Sequence, residues 1–172
     1  EKDKIVLSLP VIMRDIGNRF ETYNYFEESV HELIKSGFRQ FQIANLGAMG
    51  MFGDADVILH ADYPLYSLNP LSLIKLRKLR FERQTLSPED GMENMKKLLS
   101  DNTDLILYQD TPLFTSEACV WANMKSACPG IDRCGFESMT LKNEYGDRFT
   151  AINEACRTVI INERPFSIIH LV

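Results

Sequence analysis

The sequence predicts an α/β chain, and three observations carry that prediction. Short apolar runs of strand length alternate with helix-like stripes from the first residues to about residue 110, the rhythm of parallel β/α units. Helix starts are announced by local chemistry, as at Asn69-Pro70, where an N-cap side chain precedes a proline whose missing N–H costs nothing. After Thr111 the rhythm breaks into an irregular Cys-bearing stretch followed by strand–turn–strand. The expected organisation is a β/α portion over 1–110 and a β-rich extension over 111–172, packed on it as one unit.

Ile5–Leu9 is the first strand, and Arg14–Asn24, polar and containing Gly17, reads as a loop. Phe26, Val30, Leu33 and Ile34 fall at i, i+4, i+7 and i+8, one stripe of an amphipathic helix, and Gly37 suits its C′ stop. Phe38–Ile43 and Ala55–His60 are the next strands; the Gly-punctuated material between them is too short for a crossover helix. Asn69 opens a helix through Leu71, Ile74 and Leu79, and Phe81–Leu86 follows as a fourth strand. Ser87–Asp90 reads as a helix start with Ser as cap and carboxylates at the positive end of the dipole. Met92, Met95, Leu98 and Leu99 supply the buried stripe, and Leu105–Tyr108 is the fifth strand. An eight-fold β/α barrel takes roughly 250 residues, so five strands leave either a partial TIM-like β/α barrel or a small open sheet. In the extension, Ser138–Asn143 and Arg148–Asn153 flank a hairpin turn at residues 144–147, and Arg157–Ile161 and Phe166–Val172 add strands.

Composition narrows the function classes. Hydrophobic residues make up 45% and charged residues 25% of the 172, which is ordinary globular composition. Nineteen basic against 24 acidic side chains exclude a chain-wide basic field, though Lys75–Arg80 is a local basic helix end with a potential phosphate contact. No apolar run reaches the roughly 20 residues of a membrane span and no leader precedes the first strand, so a cytoplasmic protein is expected. The start at Glu1, directly before a strand, suggests a fragment whose barrel is completed by a missing N-terminal segment or by a homodimer.

All four cysteines lie in the last third, as Cys119, Cys128, Cys134 and Cys156, with spacing C-x8-C-x5-C-x21-C. Three thiols in a non-periodic stretch suit a metal, either tetrahedral zinc or a four-thiolate iron–sulfur cluster. Two disulfides, or inert buried thiols, are the competing readings. His31, His60 and His170 form no zinc-protease motif, and there is no nucleophile elbow, Walker loop or dinucleotide fingerprint. His60, ending an apolar strand, reads as a core-edge histidine. Asp62 lies just past the third strand, on the end where β/α proteins keep their chemistry, with Asn45 after the second strand and Glu82 and Gln84 in the fourth. Asp62, Asn45 and Asn69 are therefore candidate substrate-binding residues; satisfying turn backbone and capping helices is their competing role.

Several ordered strings resemble the collagenase-like peptidase family. Residues 61–69, beginning Ala61-Asp62-Tyr63-Pro64-Leu65, are similar to its D-Y-P-L-N segment, and Thr85-Leu86-Ser87-Pro88-Glu89 to its T-L-S-P-E-L. Thr111-Pro112-Leu113-Phe114, the cysteines, Leu141-Lys142-Asn143 with Gly146 and Phe149, and Ile161-Asn162 before Pro165 match the family's ending in order. The resemblance implies the C-terminal part of a β/α barrel with a Cys-bearing extension. It implies a peptidase or, as in several members, an iron–sulfur-dependent hydroxylase acting on RNA or a small molecule. A 4Fe-4S cluster would then be held by Cys119, Cys128, Cys134 and Cys156, with zinc the alternative. The family's E-x-F-x-x-G signature is absent and the second Cys pair is stretched, so a non-catalytic structural or zinc-binding domain is the alternative function.

Overall fold

The computed structural model describes residues 1–13, 23–125, 128, 130, 138–154 and 156–171. The expected loop at 14–24 falls almost wholly outside them, as does Cys134. The chain divides into two compact units, Glu1–Ile106 and Leu107–Val172.

The first unit is an alternating parallel β/α core. Its elements are β1 (Val6–Ser8), α1 (Tyr23–Lys35), β2 (Gln40–Ile43), β3 (Ile58–Ala61), α2 (Pro70–Lys78), β4 (Phe81–Thr85), α3 (Met92–Leu98) and β5 (Thr103–Asp104), with a 3-10 turn at Leu46–Phe52 where a crossover helix would not fit. The five strands pair in sequential order, β1-β2-β3-β4-β5, all parallel. Sequential parallel order is how successive strands of a β/α barrel lie side by side.

Strand alternation sorts the side chains to the two faces of this sheet. Phe41 and Ile43 of β2 are fully buried with Leu59, Ala61 and Phe81, and Val30 of α1 and Leu76 of α2 pack into the same cluster. Leu73, Leu86, Met95 and Leu98 form a second cluster around α3. The stripe expected on α1 is the one buried: Phe26, Leu33 and Ile34 pack around Val30. Gly37 takes φ 98°, and Gly37 N–H to Ile34 and Phe38 N–H to Leu33 close α1 as a Schellman motif. Asn69 caps α2, accepting from Ser72 N, while Ser72 Oγ accepts from Asn69 N. At the other end of α2, Arg80 holds φ 70°, a conformation that costs a non-glycine residue about 1 kcal/mol.

Two expectations shift. The Ser87 hydroxyl accepts from Glu89 N in a turn, and α3 begins later, after Gly91, without a side-chain cap. The fifth parallel strand is Thr103–Asp104 rather than 105–108, because Leu86 N donates to Asp104 and Leu105 turns into the α3 cluster. Tyr108 instead belongs to the second unit.

That unit is β-rich and antiparallel: β6 (Tyr108–Gln109), β7 (Pro112–Ser116), α4 (Val120–Lys125), β8 (Ser138–Lys142), β9 (Arg148–Glu154), β10 (Arg157–Asn162) and β11 (Phe166–Ser167). Its main sheet runs β7-β10-β9-β8, and β6 pairs with β11. The expected hairpin joins β8 to β9, its turn held by Asn143 Oδ1 accepting from Tyr145 N and Asp147 N. Among the described residues no helix is long and apolar enough to cross a membrane.

Candidate functional site

The face of the parallel sheet opposite its apolar cluster is polar. Register sets Ser8, Gln42, His60 and Arg83 across one row. A bulge makes this row possible. Leu59 pairs with Phe81 but His60 with Arg83, so Glu82 is the extra residue in β4. The insertion reverses the alternation, turning Arg83 and Thr85 to the polar face and Gln84, fully buried, to the other.

At the C-terminal ends of the strands this face carries a bridged network. Gln42 Nε2 donates to Asp62 Oδ1 at 3.1 Å and to Thr85 Oγ1 at 3.2 Å, tying β2 to the ends of β3 and β4. Asp62 Oδ1 also accepts from Tyr63 N at 2.8 Å, which starts the 3-10 turn Tyr63–Leu65. Both interactions fall on one carboxylate oxygen, and among the described residues no hydrogen bond falls on Oδ2. Burial pushes the Asp62 carboxyl above the ordinary aspartate range, the Tyr63 amide working against it. Deeper in the row, His60 Nε2 lies 3.0 Å from Gln40 Oε1, and burial lowers the imidazole from its usual value. Arg83 Nε reaches both oxygens of Asp104, at 3.1 and 2.9 Å, and Nη2 bonds Oδ1 as well. This pair closes the β4–β5 side of the face with opposite charges. Chemically, the arrangement offers an acceptor or proton carrier at Asp62, a side-chain carbonyl at Gln42 and a hydroxyl at Thr85.

The sequence candidates divide accordingly. Asp62 is in the network. Asn45 is a structural cap: Oδ1 accepts from Ala48 N at 3.0 Å and Nδ2 donates to Val11 O at 3.3 Å. Asn69, exposed, is the α2 cap and nothing brings it to Asp62. Gln42, Thr85, Arg83 and Asp104 were not singled out. A glutamine inside a strand pattern has no local signature, and the bulge that presents Arg83 and Thr85 exists only in the pairing with β3.

Among the described residues, Cys119, Cys128 and Cys156 do not come together as the expected cluster. Cys119 Sγ accepts from Asn153 Nδ2 at 3.0 Å and from Ala122 N at 3.4 Å, and these donors hold its thiol below the ordinary value. Asn153 Oδ1 in turn lies 3.3 Å from Thr158 Oγ1, whose hydroxyl donates to Ala118 O. Cys119 is thus part of a protein hydrogen-bond network. Cys128 and Cys156 are exposed free thiols, Cys156 held at φ 66° where the chain turns from β9 to β10. Among the described residues no three His, Cys, Asp or Glu side chains come together to hold a metal ion. This corrects the iron–sulfur and zinc expectations alike: a closed site needs four converging donors, and the described side chains bring no three together.

In the first unit these features define a parallel β/α fold with one helix-covered sheet face and one polar face gathered around a half-buried carboxyl. Set against known proteins, the chain matches no family model, no curated protein and no solved structure.

Proposed function

We propose that this chain is a peptide-binding β/α module of the collagenase-like peptidase type, with the polar face around Asp62 as its substrate site. The observation that carries the reading is the Gln42 amide bridging Asp62 and Thr85 at the strand ends. A residue of an extended peptide presents its own N–H and C=O toward the same side of the chain. Asp62 Oδ2 accepts the first and the Thr85 hydroxyl donates to the second, with Gln42 fixing the spacing of the two. The resemblance supports the same position, since its D-Y-P-L string contains Asp62. A carboxyl with a raised pKa is suited to exchange a proton with a bound amide or water. Free Cys119, Cys128 and Cys156 fit a reducing, cytoplasmic setting, and the edge of β1, unpaired among the described residues, is where a second copy pairs.

The test is titration of the protein with a gelatin-derived peptide, followed by amide NMR and by product analysis. Gln42, Asp62 and Thr85 signals shift on binding, and Asp62→Asn weakens it by about tenfold, the scale of one lost charge-assisted hydrogen bond. Binding without cleavage identifies a binding domain. An unchanged spectrum, or equal affinity in the variant, contradicts the reading.

A further inference from the structure

The first unit has a concave feature at the end of the parallel sheet away from Asp62. A cleft of about 380 Å³ is lined by Arg77, Arg80, Phe81, Glu82 and Asn102. Lys75, Arg77 and Lys78 lie in the last turn of α2 and Arg80 follows its C-cap Leu79, all four cations exposed, with no acid between them. Cations in a last helical turn are expected from the helix dipole alone. Arg80 is not covered by that explanation. It stands outside α2 at φ 70°, a position glycine or asparagine fills without strain. Among the described residues no ion pair engages Arg77 or Arg80; Arg77 Nη2 makes a 3.4 Å contact with Ser100 Oγ. Asn102 Nδ2 donates to Glu82 O at 3.2 Å, fixing the opposite wall, and buried Phe81 is the floor.

We infer that this cleft binds a small phosphate monoester carrying hydroxyl groups, such as a sugar phosphate. Two guanidinium forks three residues apart match the oxygens of one phosphate. The exposed Glu82 carboxylate repels a bare anion but accepts hydrogen bonds from hydroxyl groups, which selects an ester over inorganic phosphate. The site is independent of the Asp62 network.

The test is amide NMR titration of the full chain at low salt with ribose 5-phosphate, ribose and inorganic phosphate in parallel. Ribose 5-phosphate shifts the signals of Arg77–Glu82 and Asn102, ribose leaves them in place, and inorganic phosphate binds more weakly. Arg80→Gly lowers affinity for ribose 5-phosphate at least about tenfold, while its melting temperature stays the same or rises because glycine suits that backbone. Lys142→Ala in the second unit binds as the parent does. Absence of shifts with ribose 5-phosphate, parental affinity in Arg80→Gly, or equal affinity for inorganic phosphate each overturns the inference.

Discussion

In the first unit, eleven buried apolar side chains from strands, helices and the 3-10 turn form one cluster on a single sheet face. In the second, the most buried positions of β9 and β10 include Asn153 at 1% and Thr158 at 4% exposure, beside Ala151 and Ile160. One unit is organised by apolar burial and the other has hydrogen bonds at its centre. The difference explains where chemistry is available. Because apolar packing occupies only one face of the parallel sheet, its other face is free to gather Gln42, Asp62 and Thr85. In the second unit Asn153 and Thr158 are consumed in holding the strands to Cys119 and Ala118.

The largest effect that sharpens this contrast is expected from Phe41→Ala. Phe41 is 0% exposed at the centre of the cluster, and its truncation costs about 3–5 kcal/mol by transfer and cavity terms. Urea unfolding followed by probes in each unit should show the loss in the first. Asn153→Ala should cost about 1–3 kcal/mol, since it removes from a buried position the side chain that bridges the Cys119 thiol and Thr158. It also raises the Cys119 pKa, read as an alkylation-rate profile displaced to higher pH. A purely apolar centre in the second unit would show neither effect.

A smaller effect comes from His60. Its folded-state pKa lies below the unfolded value of 6.5, so the unfolded chain binds more protons between the two values. Its contribution is complete above 6.5 and is lost as pH falls through that window. Asp62, raised above 3.8, acts oppositely, favouring the fold on the acid side of its own window. The difference between parent and His60→Gln isolates the histidine: the parent's extra stability should shrink on acidification. The smallest effect belongs to the exposed thiols: Cys128→Ser with Cys156→Ser should change stability by no more than about 0.5 kcal/mol. Loss of folding in that variant would restore a structural role for these cysteines.

How far the sequence was legible follows the range of the interactions. Local chemistry was readable: the Gly37 stop, the Asn69-Pro70 start, the α1 stripe and the Asn143 turn each need only neighbours along the chain. Features that arise between strands were not. Glu82 looks like an ordinary strand residue until β3 pairs across it, and its insertion decides that Arg83, not Gln84, faces the polar side. The fifth strand was misplaced because the apolar residues 105–107 outweigh Thr103 and Asp104 in any pattern, although these two carry the ladder. Asp62 was visible because it follows a strand end, while its partner Gln42 was not. Cysteine spacing alone misled, because it carries no information about Asn153, more than thirty residues from Cys119.

The most direct measurement of the central claim is the pH titration of the Asp62 carboxyl carbon by NMR, with and without bound peptide. A midpoint above 3.8 that moves on peptide binding is the expected result. A midpoint at or below that value, unchanged by peptide, would contradict a half-buried carboxyl poised on the ligand-binding face.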